Sequence, residues 1–283
     1  MTRLGIIGYT NAAPLLHTLE SELSNLETNW RRGVPTEINT ALLNGTVDIA
    51  NISAFEFLQH ADSLCALPDF SISVLGAVYS VSLFHTVPWQ ELHGCEIAVT
   101  THSATSVKLL ETLLRLDGIN ATLVRAEPNL EDLLEPYPAA LLIGDGALSE
   151  WYRLCGPISE TVQMFRLPST GKLSNGRKVQ VTDLAMSWYE HTGLPFVFAV
   201  WASRKNNPPP LELILSMRRA RRYGVGHLAE IAAHEAGRLQ LPERIVQHYL
   251  WNFRYHLEAP DKAGFEKFKA LVIAEAVLDY WDY

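Results

Sequence analysis

Cysteine is scarce in this chain of 283 residues: Cys65, Cys95 and Cys155 stand far apart, with no C-x-x-C pair among them. That spacing excludes a disulfide framework and a zinc knuckle and leaves three idle or buried thiols. Long apolar runs are missing too. The longest, residues 194–202, is less than half of the roughly 20 residues a helix needs to cross a bilayer. From Arg3 the chain goes straight into Leu4-Gly5-Ile6-Ile7-Gly8, without the apolar region and small-residue cleavage site of a secretory signal, so a cytoplasmic protein is expected. Positive charge is in short supply as well. Twenty-three Lys and Arg against 31 Asp and Glu leave a net charge of −8, which argues against nucleic acid as a partner. A small anion stays compatible, because a cleft can be locally positive. Internal repeats and low-complexity tracts are absent, and 283 residues favour two α/β lobes over one core.

Several familiar motifs are begun and not completed. Gly144-Asp145-Gly146-Ala147-Leu148-Ser149 follows a strand-like run as a dinucleotide fingerprint would, but its third small position is Ser. Gly224-Val225-Gly226-His227-Leu228-Ala229 has better spacing, yet it follows an Arg-rich helical pattern rather than a strand. His227 and His234 share a helical face without completing His-Glu-x-x-His, and no Gly-x-Ser-x-Gly elbow nominates a nucleophile. Arg218, Arg219, Arg221 and Arg222 alternate with Met217, Ala220 and Tyr223, the pattern of a solvated helix face. No nicotinamide cofactor and no metal are expected.

What is present is an alternation of strand and helix. Residues 4–7 read as a buried strand and 13–23 as a helix with Pro14 in its first turn. Pro35 opens a second helix that Gly45 ends, before a strand over 47–52, so the opening reads β-α-α-β. A long β-branched run over 73–87 carries Ser80 and Ser82 on one face of a strand. Strands at 96–100 and 139–143 flank a helix over 103–115. The run 196–201, after Gly193 and Pro195 stop a helix, is a further buried strand. From Pro208 onward the pattern is helical with no credible strand, Leu211, Ile214, Leu215 and Arg218 giving the first spacing.

The polar candidates lie at the turns. Thr100-Thr101-His102-Ser103-Ala104-Thr105-Ser106 puts five hydroxyls between a strand and a helix, where backbone N–H groups converge on a carboxylate; ordinary N-capping needs only one of them. Asn11 sits in a strand-to-helix turn, where Asn is also a common cap. Ser53 and Glu56 mark another strand end, with core hydroxyls bonded to backbone as the alternative for Ser53, Ser80 and Ser82.

Three segments, Tyr9-Thr10-Asn11-Ala12-Ala13-Pro14-Leu15, Leu43-Asn44-Gly45-Thr46-Val47-Asp48-Ile49-Ala50-Asn51-Ile52-Ser53 and His191-Thr192-Gly193-Leu194-Pro195-Phe196-Val197-Phe198-Ala199-Val200-Trp201, occur in the order of one enzyme family. With Tyr249-Leu250 and Tyr255-His256-Leu257 near the C-terminus, one residue closer than the family spacing, the chain resembles the chorismate dehydratase family of the futalosine route to menaquinone. The resemblance implies an α/β, two-lobed fold of the type II periplasmic-binding-protein kind with two crossing hinge strands. Its first lobe comprises residues 1–84 and 203–283, the inserted second lobe residues 85–202, and a ligand cleft lies between them. It also implies dehydration of chorismate without metal or organic cofactor, Asn11 and Ser80 being catalytic. Thr105 and Ser106 hold a carboxylate, and Ser53, Ser82 and Asp145 complete the substrate-binding set. No Lys, His or Glu is placed as a general base, so the substrate's enolpyruvyl carboxylate is expected to take the proton, with Glu56 and Asp145 as the protein groups that could replace it. Two rivals share the fold: 1,4-dihydroxy-6-naphthoate synthase, which carries His where this chain has Gly144, and a non-catalytic receptor for a small anion.

Overall fold

The computed structural model describes residues 1–101, 103–127, 129–155 and 169–283. They form two compact units, Met1–Ser73 with Phe196–Tyr283, and Val74–Pro195, so the chain passes from one to the other twice. His102 of the hydroxyl-rich turn lies outside the described residues.

The first unit is built on a sheet that starts from the buried Leu4, Ile6 and Ile7 of β1 (Thr2–Ile7). Parallel partners flank it: β2 (Thr28–Gly33) on one side and β3 (Ile49–Ser53) on the other. Beyond β3 come β11 (Phe196–Arg204), antiparallel to it, then β4 (Leu64–Val74) and the short β12 (Phe253–Arg254). The second unit has its own sheet, in the order β7 (Thr122–Ala126), β6 (Glu96–Thr100), β8 (Ala139–Ile143), β5 (Val81–His85), β10 (Lys178–Asp183), β9 (Thr170–Lys172). Its β6 pairs in parallel with β7 and β8, and β5 runs antiparallel to β8 and β10. Both sheets are mixed, with helices packed on them, which is the expected α/β class.

The boundaries differ from those read in the sequence. Residues 74–84 belong to the second unit and 196–202 to the first, because β5 takes its backbone partners from β8 and β10 while β11 takes them from β3. The run over 73–87 is not one strand. Gly76 at φ +90° and Tyr79 at φ +60° turn the chain between β4 and β5, so Ser80 lies in a turn and does not share a strand face with Ser82. The opening contains a strand the sequence pattern hid, β2, an edge strand with no fully buried residue and therefore no apolar alternation. The helix read over 13–23 is broken by Thr18, a β-branched residue at φ −114° and ψ 0°, into Ala13–Leu16 and Leu19–Glu22. The C-terminal region, helical as expected, also contributes the two-residue β12.

The helix Leu211–Gly226 presents another face than its sequence spacing suggested. Leu213, Ile214, Met217 and Ala220 are buried with Leu4, Leu15, Phe70 and Trp201, whereas Leu211 and Leu215 are exposed. Arg221 is not solvated: its guanidinium lies 4.5 Å above the Phe70 ring and donates to the Asp69 carbonyl, and burial lowers its pKa to about 10. Gly224 explains the choice of face. A side-chain carbon at Gly224 would overlap the carbonyl oxygen of Pro14, so only glycine lets this helix approach the Ala13–Leu16 turn so closely. Its spacing with Gly226 is thus a packing device and not a phosphate loop.

Gly224→Ala is expected to destabilise the protein by about 1–3 kcal/mol through overpacking, read as a lower denaturant midpoint at unchanged slope. Gly226→Ala, where nothing lies within 4 Å, should stay near wild type.

Candidate active site

In the first unit the candidates follow the C-terminal ends of β1 and β3. The end of β1 is held by Asn51, which is buried: its Oδ1 accepts from the Ile7 N–H at 2.8 Å and its Nδ2 donates to the Ile7 carbonyl at 3.3 Å. The chain then enters the 3-10 turn Thr10–Ala12. Thr10 is buried there, donates to Glu235 Oε2 at 3.4 Å and accepts from Arg238. Asn11 follows, half-buried. Neither the 3-10 turn nor the helix after it has a side-chain cap, and among the described residues no hydrogen bond engages the Asn11 amide. Capping therefore does not explain this asparagine.

Ser53 ends β3 and starts the helix Ala54–Gln59, again without a side-chain cap. Asn39 braces it: Asn39 Nδ2 donates to Ser53 Oγ at 3.2 Å, and the Ser53 N–H donates to Asn39 Oδ1 at 3.4 Å. Glu56 is committed elsewhere. It accepts from Asn39 Nδ2 at 3.4 Å and pairs with His60 at 3.3 Å. Asp48 of the same motif is structural. It accepts from the Arg3 guanidinium at 2.6 and 3.0 Å and from the Arg3 N–H at 2.9 Å, which holds its carboxyl below the usual range.

In the second unit the hydroxyl-rich turn divides its labour. Ser103 Oγ accepts from the Ser106 N–H at 3.0 Å and does the capping, while Arg125 Nη1 donates to the carbonyls of Thr100 at 2.6 Å and Ser103 at 3.1 Å. Thr105 and Ser106 are buried at the start of the twelve-residue helix Thr105–Leu116. The Ser106 hydroxyl takes part in no hydrogen bond among the described residues. The N-terminal N–H groups and positive dipole end of that helix suit a carboxylate in a chain of negative net charge.

Ser80 is buried in the turn before β5, its N–H donating to the Val78 carbonyl at 2.7 Å. Its carbonyl accepts from the Gly144 N–H, also at 2.7 Å, which ties it to the helix Gly144–Cys155 that carries Asp145 in its first turn. Ser82 is fully buried on β5 and its hydroxyl donates to the Tyr79 carbonyl at 3.3 Å, so it braces the same turn. Thus Ser80, Ser82 and the Gly144-Asp145 start are joined within one unit, as are the ends of β1 and β3 within the other. Sequence reasoning passed over Asn51, Asn39, Arg125 and Asp183. Only Asp183 had a usable signal, an Asp directly before an apolar helical run.

The sequence profile of a family described as menaquinone biosynthesis matches residues 2–273. A Thermus thermophilus protein named chorismate dehydratase is 46% identical over 94% of this chain and 93% of its own length. Among solved structures, an Archaeoglobus fulgidus protein superposes with a TM-score of 0.73 at 17% identity, covering 96% of this chain and 97% of that one. The alkanesulfonate-binding protein of Xanthomonas axonopodis pv. citri follows at 0.65 and 15%, covering 96% and 92%. These likenesses establish a periplasmic-binding-protein-like fold. No helix of the described residues is long and apolar enough to cross a membrane.

The hydrogen bonds separate two kinds of turn residue. Ser103→Ala should cost about 1 kcal/mol, the usual loss of an N-cap, whereas Asn11→Ala should leave the melting temperature within about a degree of wild type. Thermal melts of the two variants check both; a loss at Asn11 as large as that at Ser103 would return it to a capping role.

Proposed function

This chain belongs to the menaquinone biosynthesis family, and from that premise we propose that it removes water from chorismate to give 3-[(1-carboxyvinyl)oxy]benzoate. The observation that carries this reading is the 46% identity to the Thermus thermophilus chorismate dehydratase along 94% of the chain. A proton leaves the ring carbon bearing the enolpyruvyl ether, hydroxide leaves the neighbouring carbon, and the two depart as water. The ring becomes aromatic, which supplies the driving force. What is left to the protein is geometry and the stabilisation of developing charge.

In this reading the first unit contributes Asn11, whose uncommitted amide orients the reacting arm, and Ser53 as a substrate-binding residue. The second contributes Ser80 as the other catalytic polar group and Thr105 and Ser106 as the holders of the ring carboxylate. Asp145 binds substrate, and Ser82 serves the site through the turn it braces. The substrate's own enolpyruvyl carboxylate takes the proton and hands it to the departing hydroxide, so that water leaves and the carboxylate is regenerated. Support comes from Glu56, the acidic group nearest in sequence to Ser53, which is already engaged by Asn39 and His60. Neither metal nor organic cofactor enters the reaction. The partner is a small dicarboxylate, not nucleic acid or a membrane, and the working compartment is the cytoplasm.

Incubating the purified protein with chorismate and separating the products should show conversion to the enolpyruvyl benzoate with loss of one water. Chorismate recovered unchanged overturns the reading in favour of the sister synthase or a receptor. Asn11→Ala should lower kcat far more than it alters KM, because the contact matters most in the transition state. Glu56→Gln should keep most of its turnover, and a loss approaching that of Asn11→Ala would restore a protein base.

Thr105→Val removes a hydroxyl at nearly constant volume and should weaken substrate binding by about 1–3 kcal/mol, the worth of a hydrogen bond to a charged group. An unchanged affinity in equilibrium binding would take Thr105 out of the carboxylate site.

A further inference from the structure

Both carboxylate oxygens of the buried Asp183 are engaged by backbone N–H groups, and the helix it caps accounts for only one of them. Its Oδ1 accepts from the N–H groups of Ala185 and Met186, both at 3.0 Å, which is a complete N-cap for the helix Leu184–Thr192. Its Oδ2 points elsewhere. It accepts from the N–H groups of Val78 at 2.9 Å and Tyr79 at 2.6 Å, about a hundred residues away in the chain. Burying the carboxylate raises its pKa to about 6, against the pull of these four donors. A cap alone does not demand that.

The turn it grips is strained. Tyr79 holds φ +60°, a conformation that L-residues with bulky side chains rarely adopt. It persists because the surroundings over-determine it: the Tyr79 ring is buried edge-on against Trp151 at 4.7 Å, the Tyr79 carbonyl takes the Ser82 hydroxyl, and the Tyr79 N–H is held by Asp183. The next residue is Ser80, whose own N–H and carbonyl are bonded to Val78 and Gly144.

We propose that Asp183 is a positioning residue for the dehydration, setting through the Val78 and Tyr79 N–H groups the left-handed turn that presents Ser80. The proposal rests on the reading of Ser80 as a catalytic residue. Asp183 touches no reacting atom; its effect passes through the backbone of the turn.

Asp183→Ser separates the two jobs of the carboxylate. Serine is a good N-cap, so the helix keeps its start, but the single hydroxyl has no second oxygen for Val78 and Tyr79. Steady-state kinetics with chorismate on this variant, on Ser80→Ala and on the double variant test the proposal, with circular dichroism melts giving the folded fraction. Asp183→Ser is expected to lower kcat per folded molecule by about 10- to 100-fold, the scale of a misplaced catalytic group, with KM changed less than about threefold. The double variant should be no slower than Ser80→Ala within about threefold, because Asp183 acts through Ser80. Losses that multiply, or a wild-type kcat in Asp183→Ser, overturn the positioning role while leaving Ser80 catalytic. A wild-type kcat in Ser80→Ala overturns the reading of Ser80 itself, and this proposal with it. Should Asp183→Ser fail to fold, Asp183→Asn, which keeps the shape and one acceptor oxygen, takes its place in the same cycle.

Discussion

A strand that ends inside a protein leaves backbone N–H and carbonyl groups with no sheet partner, and a buried polar group without a partner costs about as much as a lost hydrogen bond. Everything notable about the candidate residues follows from how this chain meets that constraint. The end of β1 is closed by Asn51, the end of β3 by Asn39, the turn after β6 by Ser103 and Arg125, and the turn before β5 by Asp183. These side chains do the structural bonding. Asn11 and the Ser106 hydroxyl, in consequence, are not consumed by it.

This division of labour also bears on electrostatics. On the proposed function, a chain with net charge −8 accepts a dicarboxylate although its overall charge would repel it. Arg125, one cation placed beside the hydroxyl-rich turn, is spent on two backbone carbonyls, and Arg221 is buried over an aromatic ring. Oriented N–H groups at the start of the Thr105–Leu116 helix are a source of positive potential near Thr105 and Ser106, and they need no mobile charge.

Glycine does comparable work in packing. Gly224 sits where any side chain would collide with the backbone at Pro14, directly after the Thr10–Ala12 turn, so the helix Leu211–Gly226 seats the segment that carries Asn11. Arg238 and Glu235, from the next helix, hold Thr10 from another direction. The turn is thereby fixed through neighbours while the Asn11 amide stays uncommitted, a preorganisation that suits the orienting role proposed for it.

Local periodicity was enough for the elements whose apolar residues are fully buried: β1, β3, β6, β8 and β11 and the helices around Ile38, Leu109 and Trp188 were legible, because such runs bury on one pattern wherever they lie. The family was legible in its motifs, and from those motifs Asn11, Ser80, Thr105 and Ser106 are proposed as site residues. The edge strand β2 was not, since half its surface faces water, nor was the break between β4 and β5, which depends on a tyrosine in a conformation its own preferences oppose. Which face of the Leu211–Gly226 helix is buried, and that Asp183 serves a turn a hundred residues away, are decided by long-range contacts. Sequence spacing determined what each segment could form. Only the tertiary structure decided which polar groups were used up in holding it together, because a hydrogen-bond partner from a distant strand leaves no periodic trace in the chain.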